Sequence, residues 1–246
     1  MNKGGLLMKI TLLSYTKDPE LAIAAAAKLC YSDKSIQDIA DHFRDPAKMV
    51  DKLKSMGHMS PFEHASFTFG IEGVSRAMLA QITRHRIASF SVQSQRYVRM
   101  KGFEYITPDT ISENPDAEAV FKTAMETAQR AYDALIDMGI PKEDARFVLP
   151  NAASTRMLVT MNARELMHFF ELRCCGRAQW EIRAVAWQML KCVMKAAPNV
   201  FKGCGPNCLR SGCTEGGMSC GQMQLMEDCY NEITKDVMEN SDASET

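Results

Sequence analysis

The chain has 246 residues, 46% hydrophobic and 24% charged, with a formal net charge of −1. That length suits one sizeable α+β domain, and so small a charge gives no global pull toward polyanions or acidic membranes, which sets nucleic-acid polymers and membranes aside as partners. No apolar run approaches the roughly 20 residues that span a bilayer, and Met1 to Leu7 lacks a signal-peptide core, so a cytoplasmic location is expected.

Lys9 to Tyr15 is a short β-branched and leucine-rich run and predicts a strand. Asp18-Pro19 then reads as an N-cap followed by proline at the first helical position, opening a helix through about Cys30. Asp45-Pro46 repeats the device, and Gly57 is placed to close the helix that follows. From Ala65 to Glu72 the pattern alternates, with Phe67, Phe69 and Ile71 on one side, as in a half-buried strand. Ser75 can cap a helix carrying Met78, Leu79 and Ile82, which delivers Arg84-His85-Arg86 near its C-terminal end, where cations complement the helix dipole.

Ala117 to Met138 shows helical spacing, with Gly139 as terminator. Pro141 starts a brief helix, Lys142 to Val148. Asn162 is a good N-cap with Glu165 where a capping-box partner belongs, and the helix beyond it, through Arg173, buries Leu166, Met167, Phe169 and Phe170. A last long helix runs from about Gln179 to Ala197. Past Phe201 the texture turns Gly-, Cys- and Met-rich, and the polar stretch from Glu239 to Thr246 predicts disorder. The simplest organisation is one α+β domain over residues 1–200, followed by a Cys-rich extension and tail over 201–246.

The segment from Arg84 to Tyr97 holds three arginines, a histidine and four hydroxyl side chains. Arginine is a planar donor fork that stays charged and suits anionic oxygens. Three so close repel one another unless they lie on a solvated face or surround an anion. The plain reading is a solvated basic helix end; the functional one is a mononucleotide and cofactor site.

Arg-His-Arg, seven residues, then Ser-x-Arg resembles the fingerprint of the flavin-dependent thymidylate synthases. The likeness continues in Gly57-His58-Met59-Ser60-Pro61-Phe62-Glu63-His64, in Gln81, in Asp144 to Pro150, in Asn162-Ala163-Arg164, and in Leu172-Arg173 with Ala178-Gln179-Trp180-Glu181. Several separated blocks in one order are more specific than a lone motif. The resemblance implies a mixed sheet packed against long helices, assembled as a homotetramer whose sites form at subunit contacts, so that Arg84 and Arg173 reach one site from different chains. It implies reductive methylation of dUMP to dTMP, with the carbon from methylenetetrahydrofolate and the hydride from FADH2, regenerated by NADPH.

On the same resemblance, Gln81, Arg84, Gln93, Ser94, Arg96, Arg146 and Arg173 bind dUMP. Ser60, Glu63, Arg84, His85, Arg86, Asn162, Arg164 and His168 line the FAD site. Arg173 is the catalytic candidate, stabilising charge on the uracil ring. Ser94 has no histidine or lysine beside it in sequence to act as its base, and an unactivated hydroxyl is a weak nucleophile, so it reads as a binding donor. Three positions depart from the family pattern: His168 stands for a common asparagine, Arg177 for a common histidine, and Val92 for an acidic residue of some members. Two other readings remain: a flavoprotein NADPH oxidase or reductase on the same scaffold without methyl transfer, and a nucleotide- or RNA-binding module built on the arginine patch.

Nine cysteines in such a chain read as reduced thiols or metal ligands before disulfides. Cys204, Cys208, Cys213 and Cys220 could close a tetrahedral zinc site, although their spacing is not a pair of C-x-x-C knuckles and the implied reaction requires no metal. Plain thiols in an appendage are the preferred reading. Cys30, Cys174, Cys175 and Cys192 are expected to pack as small hydrophobes.

Overall fold

A computed structural model describes residues 7–242. In chain order the elements are β1 (Lys9–Tyr15), α1 (Pro19–Leu29), α2 (Ile36–Asp41), α3 (Pro46–Ser55), a 3-10 turn (Ser60–His64), β2 (Ser66–Ser75), α4 (Arg76–Ile82) and β3 (Ala88–Val92). There follow α5 (Asp109–Ser112), α6 (Pro115–Asp137), α7 (Lys142–Ala145), a 3-10 turn (Arg146–Val148), β4 (Ser154–Asn162), α8 (Ala163–Arg173), α9 (Trp180–Ala196), α10 (Pro198–Phe201) and α11 (Met223–Asp242). The class is α+β, as expected, with one four-stranded sheet ordered β1-β2-β4-β3. Along the chain the described residues divide into two compact units: 7–9, 71–84 and 90–158 form unit 1, and 10–70, 85–89 and 159–242 form unit 2.

Unit 1 is centred on α6. Phe103, Met125 and Ala153 form its buried cluster, with Tyr105 and Phe121 packed against it, their rings edge-on at 5.8 Å. The segment before Tyr105 is pinned to α6 by hydrogen bonds that satisfy backbone groups otherwise left without partners. Gln129 Oε1 accepts from the Phe103 amide at 2.8 Å, its Nε2 donates to the Met100 carbonyl at 3.1 Å, and the Tyr132 hydroxyl accepts from the Met100 amide at 3.2 Å. Asn114 starts α6 by accepting from the amides of Asp116 and Ala117. Asn114→Ala should therefore cost about 1 kcal/mol, read as a lower urea midpoint with unchanged slope. At the end of β2, Gly73 sits at φ +68°, and a Cβ there would lie 2.5 Å from the Leu7 carbonyl oxygen, so a side chain is barred twice.

Unit 2 is helical around an aromatic chain. Phe67 and Phe201 meet edge-on at 5.2 Å, Phe201 and Phe170 at 6.1 Å, and Phe170 and Phe169 at 5.8 Å, each pair adding about 0.5–1.5 kcal/mol beyond the area it buries. These rings are fully buried, and α8 packs on α9, which in turn packs on α10 and α11. Lys54 donates its ammonium to the carbonyls of Asn199, Val200 and Lys202, closing the C-terminal end of α10.

Several expectations change. Asp18 does not cap α1 through its side chain; it adopts φ 48°, ψ 61°, a left-handed conformation that Asp tolerates better than most residues. The capping box is half formed: Asn162 accepts from the Glu165 amide, but the Glu165 carboxylate turns to His85. Met167 is only partly buried. Part of the arginine–serine segment, where no strand was expected, is β3. Glu239–Asp242, expected to be disordered, ends α11, and residues 243–246 lie outside the described residues. Cys30 is exposed and Cys175 and Cys192 are partly so, leaving Cys174 as the one of that set packed in the core; all nine cysteines are free thiols.

Candidate functional site

In unit 1, β3 leads into a short turn that places Gln93, Ser94 and Arg96 beside the α7 region. Arg96 Nε donates to Glu143 Oε2 at 2.9 Å, and Arg146 Nε donates to the Glu143 carbonyl at 3.0 Å. One residue thus anchors two of the predicted nucleotide-binding guanidiniums, 50 positions apart in the chain. Ser94 Oγ accepts from the Arg96 amide at 3.1 Å. Arg76, absent from the sequence prediction, joins them: its Nη2 donates to the Gln93 carbonyl at 3.1 Å. Its Nε is buried and has no hydrogen-bond partner among the described residues. Burial first, and then the Arg146 charge, hold Arg76 below the ordinary arginine value. Arg96 on the Glu143 carboxylate, Arg146 on the Glu143 carbonyl and Arg76 within reach of the Arg146 charge bring three guanidiniums into one neighbourhood, which suits an anion. Gln81 lies in the last turn of α4, and Arg84 just beyond it is exposed.

A cavity of about 500 Å³ also lies in unit 1, lined among others by Lys9, Glu72, Gln93, Arg99 and Arg156. Of the predicted site residues it includes Gln93 alone. Arg96 is exposed, whereas Arg76 and Arg146 are half-buried.

In unit 2 the chemistry gathers on α8. His85 is 5% exposed and Glu165 7%. His85 Nδ1 lies 2.9 Å from Glu165 Oε1, and Arg173 Nε donates to His85 Nε2 at 3.0 Å. The imidazole packs edge-on against Phe169 at 4.9 Å and stands 6.0 Å from the His168 ring. Arg164 Nη1 donates to Glu63 Oε1 at 2.5 Å, joining two residues predicted for the same cofactor. Arg86, Ser60, Arg164 and His168 are exposed and Asn162 is half-buried. Neither Arg84 nor Arg86 makes an ion pair among the described residues. The predicted FAD set, Arg84 excepted, falls in unit 2 with Arg173; the rest of the predicted dUMP set falls in unit 1.

His85 is held below the ordinary histidine range, by burial above all, with the Glu165 hydrogen bond opposing and the Arg173 and His168 charges assisting. The folded protein therefore keeps this ring neutral at a pH where the unfolded chain already binds a proton. Stability falls as pH drops below the unfolded value of about 6.5, and stops falling once folded His85 is protonated as well. Urea midpoints followed from about pH 7 to pH 5 should show this loss, and it should shrink in His85→Gln.

The Cys-rich stretch docks on the end of α8. Arg177 pairs with Glu215 at 2.5 Å, Asn207 Nδ2 donates to Glu171 Oε1 at 2.8 Å, and Arg210 lies 3.5 Å from the same carboxylate. Cys204 is buried, and burial pushes its thiol up to about 11, whereas Cys213 and Cys220 are exposed. Among the described residues no three His, Cys, Asp or Glu side chains stand close enough to hold a metal ion.

Sequence reasoning missed Arg76, Glu143 and the second role of Glu165. Arg76 did carry a signal. A cation in the first turn of a helix opposes the helix dipole, and α4 has no acid there to offset it.

The family profile described as Thymidylate synthase complementing protein matches residues 11–199. A flavin-dependent thymidylate synthase of Geobacter sulfurreducens is 52% identical, over 92% of this chain and 100% of its own length. One from Clostridium tetani is 47% identical, over 91% of this chain and 97% of its own. Among solved structures, a UMP/dUMP methylase, PolB of Streptomyces cacaoi, bound with 5-Br dUMP, superposes with a TM-score of 0.70 at 27% identity. That match covers 79% of this chain and 93% of the other.

Proposed function

The chain belongs to the flavin-dependent thymidylate synthase family, and from that membership we propose that it converts dUMP to dTMP by reductive methylation. Methylenetetrahydrofolate is the carbon donor and NADPH the source of reducing power. The observation that carries the substrate half is the gathering of Arg96 and Arg146 on Glu143, with Arg76 bonded to the Gln93 carbonyl and within reach of the Arg146 charge. Of the three guanidiniums Arg96 alone meets a carboxylate among the described residues, which leaves a net positive patch matched to a nucleotide phosphate dianion, with the Ser94 hydroxyl and nearby amides as further donors. Gln81 and Gln93 complete the nucleotide contacts. Ser94 is a binding donor here, because no base is paired with its hydroxyl.

The donor set of unit 2 fits FAD. Arg86 and Arg164 present exposed guanidiniums suited to a pyrophosphate, and Asn162 and His168 present an amide and an imidazole suited to the edge of a heterocycle. The family resemblance assigns Arg84 to both ligands and Ser60 to FAD, and Glu63 orients the Arg164 guanidinium directly. Reduced FAD supplies the hydride. The chain's own part is to hold Arg173 against the uracil carbonyl, where it stabilises negative charge on the ring without giving up a proton. In a homotetramer, as the family resemblance implies, Arg173 reaches the nucleotide held by another protomer.

Release of tritium from [5-³H]dUMP tests the reading. A synthase must break that C–H bond, so tritium should appear in water in step with dTMP and only when methylenetetrahydrofolate is present. NADPH oxidation with no tritium release would reduce the protein to a flavin oxidase.

A further inference from the structure

We propose that Glu165 and His85 are positioning residues whose hydrogen bonds aim the Arg173 guanidinium. The inference rests on the reading of Arg173 as the uracil-binding group, and it assigns Glu165 a role beyond the helix start where it sits.

The geometry fixes the tautomer. A carboxylate can only accept, so at 2.9 Å from Glu165 Oε1 the His85 Nδ1 must carry the hydrogen. Nε2 is then left with a lone pair, and it accepts from Arg173 Nε at 3.0 Å. Glu165 and Arg173 lie eight residues apart on α8, about 12 Å along its axis. The arginine side chain leans back toward the helix start, as helical side chains do, and the imidazole closes the remaining gap. Phe169 packs edge-on against the ring, so its plane is set by packing as well as by bonding. A guanidinium held through Nε has its fork direction fixed. A carboxylate that orients an imidazole which in turn orients a working group is a known arrangement at metal sites; here the working group is a cation.

The arrangement is sensitive to protonation. The groups facing His85 are Glu165, His168 and Arg173 on α8, with Arg84 and Arg86 adjacent to it in sequence and exposed. Adding a proton to Nε2 removes the acceptor and sets a second cation against the guanidinium, so Arg173 must swing away. Burial resists that proton and the Glu165 carboxylate favours it. Activity should therefore have an acid limb that reports His85.

Two readouts test this on Glu165→Gln and Glu165→Ala. Neither variant disturbs the helix cap, because Asn162 accepts from the backbone amide of residue 165. The first readout is ¹⁵N NMR of the imidazoles in the ligand-free protein. Wild type should show His85 as the Nδ1–H tautomer at neutral pH, the glutamine variant should retain it, and the alanine variant should show the other tautomer or a mixture. The second is steady-state kinetics. Glu165→Ala should lose about 10–100-fold in kcat/KM for dUMP at unchanged FAD affinity. Glu165→Gln should recover most of that, with its acid limb moved to lower pH because the charge favouring imidazolium is gone. An Nε2–H wild-type ring, or Glu165→Ala with wild-type kcat/KM and an unmoved acid limb, overturns the proposal. Failure of the underlying reading looks different: Arg173→Ala would turn over like wild type, whatever the imidazole signal.

Discussion

Replacing Arg173 with alanine should leave FAD bound and lower turnover about 10²–10³-fold, the usual cost of removing one donor aimed at developing charge. Arg173 ends α8, while the predicted cofactor contacts on that helix, Asn162, Arg164 and His168, lie in its cap and first two turns. Truncation at the C-terminal end therefore spares the flavin side. The loss should fall on kcat and kcat/KM alike, the mark of an interaction made chiefly in the transition state. The measurement is single-turnover dTMP formation with flavin absorbance recorded on the same sample. Wild-type turnover in a yellow Arg173→Ala protein would remove the residue from the chemistry. Arg173→Lys should not rescue, since an ammonium cannot reproduce the planar fork.

Arg173 also shows how packing reaches the chemistry. The aromatic chain Phe67, Phe201, Phe170, Phe169 runs through the core of unit 2 and ends on the His85 ring. The core of α8 and its working end are thus one construction. Alternate faces of the same helix carry the fully buried Phe169 and Phe170 and the exposed Arg164 and His168, a division that amphipathic spacing sets before any ligand binds.

That spacing is why so much was legible from sequence. Phe67, Phe69 and Ile71 alternate as a strand must and are all fully buried. Asp45, Ser75 and Asn162 cap as their chemistry dictates, each side chain accepting from the amide three residues on. The failures have equally local causes. In Ala88–Val92 the half-buried Ala88, Phe90 and Val92 alternate with the exposed Ser89 and Ser91, a period of two that the surrounding charge and hydroxyl content disguised. The α11 region is polar and follows a glycine-rich run, and its helix rests on packing against α9, which no local pattern reveals. Sequence reasoning picks out candidate site residues where charge is concentrated, as in Arg84 to Arg96. Residues that support others escape it. Glu143 and Glu165 act through partners 47 and 80 positions away, separations invisible to any short window.

Arg146→Ala should raise the KM for dUMP about 10–100-fold with little change in kcat, since a hydrogen bond to a charged group contributes roughly 1.5–3 kcal/mol and a phosphate grip is equal in ground and transition states. The argument is one of local charge. Glu143 neutralises Arg96, while Arg146 and Arg76 feel each other's charge and neither has an ion-pair partner among the described residues, a surplus of two positive charges that a phosphate dianion neutralises. Removing Arg146 leaves one. Arg76 then loses the neighbouring charge that helps hold it below the ordinary arginine value, and Arg96 keeps its bond to the Glu143 carboxylate, so the rest of the cradle stays in place. The defect should be specific to the phosphate: deoxyuridine, which lacks it, should compete with dUMP more effectively in Arg146→Ala than in wild type. FAD affinity should be unaltered, because Arg146 is assigned to the nucleotide and not to the cofactor. Titrating dUMP against flavin absorbance, with and without added salt, measures both at once. An unchanged KM would separate Arg146 from the nucleotide and leave its bond to Glu143 as structure alone.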